Sequence, residues 1–215
     1  MTVLRNLPGL FSLVWLLGAL GVLHGAETAA PRTILFFGDS LTAGHGLGRP
    51  DEDAYPALIQ KKSDEAGLAW RVVNAGLSGE TSAGGLRRID WILRQPVDVF
   101  VLALGANDGL RGISPAVTQA NLEQIFARVR AKYPAARLVL AGMQMPPAMG
   151  ADYAREFQAV FPAVAEKYQA ALVPFLLENV GGIARFNQGD RIHPNPAGHA
   201  ILADNVWKIL RPLLE

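Results

Sequence analysis

The chain contains no cysteine, which excludes a disulfide framework and a thiolate metal site. It has almost no net charge: 20 Lys and Arg stand against 19 Asp and Glu. A dedicated nucleic-acid binder would show a basic stripe with aromatics between the charges, and no such stripe is present. Internal repeats and low-complexity stretches are missing, and nothing marks a second domain. Also absent is Gly-x-Ser-x-Gly, the nucleophile turn of the ordinary α/β hydrolases.

What is present is a chain of 215 residues, half of them hydrophobic, enough for one domain with a full core. The N-terminus reads separately from the rest. Arg5 is the only charge ahead of an apolar stretch from Leu10 to Leu23, and the small and polar residues Gly25 to Ala30 follow. A positive start, a short apolar middle and a small-residue exit describe a secretory signal peptide. The stretch is shorter than the roughly 20 apolar residues of a comfortable membrane span. Residues 1–30 are therefore read as a cleaved signal peptide and residues 31–215 as the folded domain, with a periplasmic or secreted destination. Cleavage after Ala26 puts His24 at the −3 place and cleavage after Ala30 leaves Pro31 next, and both sites stay open.

In the domain, apolar runs alternate with helical periodicity. Strands are predicted over Thr33–Phe37, Trp70–Asn74, Val97–Leu104, Arg137–Met143 and Ala171–Leu176. Val97–Leu104 is nearly continuous in apolar residues, as a central parallel strand covered on both faces requires. Pro174 makes the last strand an edge strand. Helices are predicted from Ala54 to Ala66 with Asp53 as cap, around Leu86 to Leu93 until Pro96 breaks it, and after Ser114-Pro115. Two more run from Asp152 to Gln169, kinked or restarted at Pro162, and from Pro196 with Asn195 as cap. The stretch Thr42 to Pro50 reads as a plain Gly-rich loop, since its glycine spacing is not a dinucleotide fingerprint. Strands alternating with helices imply an α/β three-layer sandwich: about five mostly parallel strands, right-handed crossovers, helices on both faces.

In an open sheet of this kind the loops beyond the strands' carboxyl ends form the ligand crevice. Ser40 falls there, delivered by Phe36-Phe37-Gly38-Asp39. A hydroxyl needs an adjacent base to become a nucleophile. His45, His193 and His199 are the histidines of the domain, and only His193 has a carboxylate, Asp190, three residues earlier at a bend. Asp190 can hold one ring nitrogen as a donor and leave the other for Ser40. The N–H groups of Ser40 and Gly79 and the side-chain amide of Asn107 suit a developing oxyanion. Taken singly, each has a plain structural reading: helix cap, turn glycine, strand-end cap. His199 inside the last helix and His45 in the loop are read as structural, with His45 also able to line the pocket. His193 and His199 lack metal-ligand spacing.

Four motifs together resemble one family. Gly38-Asp39-Ser40-Leu41, Gly79 in a loop, Gly105-x-Asn107-Asp108 after the central strand and Asp190-x-x-His193-Pro194 are similar to the motifs of the GDSL, or SGNH, hydrolases. Asn74-Ala75-x-x-Ser78-Gly79-Glu80-Thr81, Asn107 to Gly112 and Asp190-x-Ile192-His193-Pro194-Asn195 look like the branch of secreted arylesterases, lysophospholipases and acyl-CoA thioesterases. The resemblance implies the flavodoxin-like SGNH fold, Ser40 as nucleophile, Asp190 and His193 as orienting acid and base, and Ser40, Gly79 and Asn107 as oxyanion donors. It implies a supporting hydrogen bond from Asp39, no cofactor and no metal. It also implies a monomer acting on small ester or thioester substrates with an acyl chain, with transient contact with lipid and no nucleic-acid partner. Two departures stand out: Ala106 and Arg191 occupy places where the branch often has Gly. The segment Asp108 to Gly112 resembles the branch's mobile substrate loop. Met143, Met145, Pro146, Pro147 and Met149 form an acyl wall or pack the core. Two other functions fit the same parts: a carbohydrate O-acetyl esterase, which a small polar pocket would favour, and a carbohydrate- or lipid-binding protein without turnover. Binding alone calls for no Asp–His pair.

Overall fold

The computed structural model describes residues 1–2 and 32–215, so all but the first two residues of the predicted signal peptide lie outside the described residues. Five parallel strands form one sheet in the order β2-β1-β3-β4-β5. They are β1 (Arg32–Gly38), β2 (Trp70–Asn74), β3 (Val99–Ala103), β4 (Arg137–Ala141) and β5 (Ala171–Val173). The helices, in chain order, are α1 (Ser40–Ala43), α2 (Pro50–Asp53), α3 (Tyr55–Glu65), α4 (Ser82–Ile92), α5 (Ala106–Leu110), α6 (Pro115–Lys132), α7 (Ala151–Tyr168) and α8 (Pro196–Leu210).

The order of the strands decides the layers. From β1 the chain steps outward to β2, then returns past β1 to β3 and continues through β4 to β5. Right-handed crossovers then put α3 on one face and α4, α6 and α7 on the other. The packing agrees: α6 lies between α4 and α7, and α3 packs with α8. Every residue of β3 is buried, including Phe100, which explains its unbroken apolar run. β1 and β3 are neighbours joined by opposite-going connections. The reversal of direction between them opens a crevice beyond their carboxyl ends. Ser40 follows β1 and Asn107 follows β3, so both sit at that crevice.

Several predicted boundaries shift for local reasons. Asp53 does not cap α3; it ends α2, the short helix that Pro50 opens, and the cap of α3 is Ala54 in extended backbone. The Gly-rich stretch is not plain loop throughout, because α1 begins at Ser40 itself and closes at Gly44 with φ 76°. Ser114 occupies the cap position of α6, but its side chain makes no cap hydrogen bond. Pro162 lies inside α7, which neither breaks nor restarts there. Gln169 ends that helix in left-handed backbone. Asn195 caps α8 through Gly198 N–H, and β5 lies at the sheet's edge, both as predicted.

One close approach ties the loop after β2 to the nucleophile side. A methyl group at Gly76 would come within 2.3 Å of the Ala43 backbone nitrogen, at the end of α1. Backbone meets backbone there, so no side chain can yield. Gly76→Ala is expected to cost about 1–3 kcal/mol of stability. The midpoint of urea unfolding measures it, and an unchanged midpoint would show that the two segments separate freely.

Candidate active site

Gly38 ends β1, and Asp39 begins the turn into α1. The Asp39 carboxylate accepts the Leu41 N–H at 3.0 Å and so caps the helix whose first residue is Ser40. From the other end of the chain, the loop before α8 brings His193 to the same point. Its Nε2 lies 2.9 Å from Ser40 Oγ, and its Nδ1 lies 2.6 Å from Asp190 Oδ2. The other Asp190 oxygen accepts the backbone N–H groups of Ile192 at 2.9 Å and of His193 at 3.0 Å. The hydrogen bond from His193, reinforced by those two N–H groups, holds the Asp190 carboxyl well below the ordinary carboxylate range. An ionised acid on Nδ1 keeps the ring's proton there and leaves Nε2 as an acceptor for the hydroxyl.

The loop bearing this pair is held by its own backbone. Gln188 N–H donates to the His193 carbonyl at 2.8 Å, and the Gln188 side-chain amide donates to the His45 and Pro194 carbonyls. Asn187 bridges to Pro194. Arg191 closes the bend with φ 59°, in the left-handed region. That conformation explains why glycine is common there in the branch resembled, and it leaves the arginine side chain on the cavity rim.

Asn107, in α5, donates its Nδ2 to the Glu80 carbonyl at 3.0 Å. The amide's second N–H is left for the cavity, which Asn107 lines. Gly79 turns the chain at φ 80°, one residue before Glu80. Its carbonyl accepts from Arg111 at 3.0 Å. Gly79 itself is not part of the cavity's lining.

The cavity, of about 610 Å³, runs from Ser40, Asn107 and His193 between Leu110, Met143, Met145, Pro146, Phe175 and Leu177. Three of the five predicted wall residues, Met143, Met145 and Pro146, therefore line it, while Met149 packs against the core instead. The side chain of Pro147 is outside the described residues. His45 sits behind the base: its ring centroid lies 4.6 Å from that of His193, and its Nδ1 is 3.4 Å from Ser78 Oγ. His199 is buried, accepts the Tyr55 N–H on Nδ1 at 3.2 Å and stacks on the Tyr55 ring. Burial pushes its imidazole down to about 4, so it stays neutral and structural.

Two side chains escaped the sequence reading. Arg88, on α4, forms a fork on the Glu80 carboxylate just beneath the Gly79 turn. Asp108 accepts the Ser82 N–H at 2.8 Å and a hydrogen bond from the Ser82 hydroxyl, which fixes the start of α4. Among the described residues no cluster of His, Asp or Glu has the arrangement of a metal site.

A parallel sheet with a hydroxyl, an imidazole and a carboxylate in line beyond its strand ends defines a serine hydrolase. Residues 36–201 match the model of the GDSL-like Lipase/Acylhydrolase family, and the chain belongs to that family. It is a serine esterase, a hydrolase of carboxylic ester bonds. Among its relatives, Esterase TesA of Pseudomonas aeruginosa is 43% identical over 198 residues, covering 92% of this chain and 96% of the relative. Thioesterase 1/protease 1/lysophospholipase L1 of Escherichia coli K12 is 37% identical over 199 residues, covering 90% of each. A crystal structure of TesA superposes with a TM-score of 0.81 at 44% identity, covering 85% of this chain and all of that one.

Asp39 carries a testable consequence. Burial pushes its carboxyl up to about 7; the Leu41 N–H opposes this, and repulsion from Glu80 and Asp108 adds to it. A carboxyl raised on folding binds its proton more tightly in the folded state. Its contribution is then full below roughly pH 4 and declines as pH climbs toward 7. Asp39→Asn keeps an oxygen for the Leu41 N–H and removes the titration. It is expected to flatten the fall in stability between those values, read from unfolding midpoints across a pH series. Parallel slopes in the two proteins would refute the assignment.

Proposed function

We propose that Ser40 is the nucleophile, His193 the general base and acid, and Asp190 the group that orients it, in an esterase acting on short and medium acyl esters and thioesters. The observation that carries this reading is the Asp190–His193–Ser40 chain of hydrogen bonds opening on an apolar cavity. Ser40 Oγ attacks the acyl carbon as His193 Nε2 takes its proton. The negative charge moves to the carbonyl oxygen, where the N–H groups of Ser40 and Gly79 and the Asn107 amide receive it. Collapse returns the proton from His193 to the departing alcohol or thiol and leaves an acyl group on Ser40. Water then repeats the sequence with His193 again as base, releasing a carboxylic acid and restoring the hydroxyl. Every proton in this cycle moves between groups of the chain, the substrate and water.

The cavity's lining supports one substrate class over the other. Leu110, Met145, Phe175 and Leu177 offer an acyl chain apolar contact and give a sugar ring few hydrogen-bond partners. This favours acyl substrates over a carbohydrate O-acetyl ester. The names of the two relatives, an esterase and a thioesterase with lysophospholipase activity, support thioesters and lysophospholipids within the range. The apolar leader before residue 31 supports export to the periplasm or beyond, and the active form is read as a monomer in passing contact with lipid.

A fluorophosphonate should label the protein once, and mass mapping should place the adduct on Ser40. Ser40→Ala and His193→Ala should each lower kcat on p-nitrophenyl esters by at least about 10³-fold, and Asn107→Ala by about 10²–10³-fold. Label on any other residue, or turnover lost to a chelator, would overturn the mechanism. Activity that rises from p-nitrophenyl acetate to the octanoate and extends to medium-chain acyl-CoA is expected. Confinement to acetyl esters of sugars would overturn the substrate class.

A further inference from the structure

The turn that carries Gly79 leaves β2 at Asn74 and enters α4 at Ser82, and a single side chain gathers its two ends. Arg88 donates Nε to one Glu80 oxygen at 2.6 Å and Nη2 to the other. The same Nη2 donates to the Ala75 carbonyl at 2.8 Å and approaches the Gly38 carbonyl at 3.5 Å. The guanidinium lies over the Phe37 ring at 4.2 Å from its centre. The Glu80 side chain is 3% exposed and that of Arg88 20%. Glu80's own carbonyl is the acceptor that orients Asn107.

This geometry joins three segments through one ion pair. Gly38 is the last residue of β1, two before Ser40. Ala75 and Glu80 bracket Gly79. Asn107 is bound through Glu80. A buried ion pair contributes little net stability, because desolvation of both charges offsets their attraction. Its fork, in contrast, fixes directions as well as distances. An arrangement of such cost therefore needs another use, and the parts it joins suggest one.

We propose that Arg88 and Glu80 are positioning residues that hold the three oxyanion donors in register, without touching the substrate themselves. The inference rests on the assignment of Ser40, Gly79 and Asn107 as those donors. It makes a demand a purely structural pair would not. Loss of the pair should leave substrate binding intact and weaken the transition state alone.

The test replaces both partners at once, Glu80→Gln with Arg88→Met, which leaves no unpaired buried charge and so protects folding. Arg88→Lys is the second variant; it keeps a cation against Glu80 and loses only the fork. In each, kcat on p-nitrophenyl butyrate should fall about 10- to 100-fold while KM changes by less than about 3-fold. The rate of fluorophosphonate labelling at Ser40 should fall in parallel, since the phosphonyl oxygen occupies the same donors. The pH profile should not move, because the Asp190–His193 pair belongs to another loop. A folded variant with wild-type kcat and wild-type labelling rate would overturn the proposal. So would a loss expressed in KM. Wild-type protein labelled elsewhere than on Ser40 would instead overturn the assignment on which it rests, so the two failures are distinct.

Discussion

One contact 2.9 Å long joins residues 153 positions apart in the chain: the Ser40 hydroxyl and the His193 ring. Everything between them serves to make the two ends meet. The first strand must sit inside the sheet, between β2 and β3, so that its end opens on the crevice. The last helix must return across the face bearing α3 so that the loop before it reaches the same rim. The 2-1-3-4-5 order of strands satisfies both demands, because the reversal next to β1 leaves room exactly where no crossover covers the strand ends.

Around that contact the polar groups are arranged in tiers of burial. Asp190 is more open than His193, with 42% of its side chain exposed against 19%, and it stays ionised through hydrogen bonds rather than through a buried partner. Beneath Ser40, in contrast, Asp39, Glu80 and Asp108 are all shut away from water. Each has found a different answer to burial. Asp39 caps a turn and keeps its proton more readily, Glu80 takes the Arg88 fork, and Asp108 binds the N–H and hydroxyl of Ser82. No buried side-chain polar atom among the described residues lacks a partner, so the polar floor of the site is as fully paired as the apolar core around it.

Much of this was legible in the sequence, for reasons that can be stated. β1 to β4 were readable because apolar runs of five or so residues between turn signals have few other uses. Ser40, Asn107 and the Asp190–His193 pair were readable because each directly follows a strand or precedes a capped helix, where topology predicts a rim. The Arg88–Glu80 pair was not. Its members lie eight positions apart, and their meeting depends on how α4 lies against the preceding turn, which no local pattern encodes. The failure of Asp53 as a cap has a similar cause: Pro50 starts a separate short helix and absorbs the residue. The left-handed backbone of Arg191 follows from closing the loop over Gln188, and a loop's closure is a property of both its ends.

The C-terminal segment is stitched to the start of the domain. The Leu214 carbonyl accepts from both Arg32, at 3.3 Å, and Trp70, at 3.1 Å, and α8 packs on α3. The nucleophile thus lies in the turn after the first strand and its base in the loop before the last helix, 153 positions later. The Asp190–His193 pair is therefore separated from Ser40 by most of the domain and meets it only through the fold. Docking of α8 on α3 and of Leu214 on β1 and β2 is what sets the His193 ring against the Ser40 hydroxyl, so closure of the domain and completion of the hydrogen-bond chain are one event.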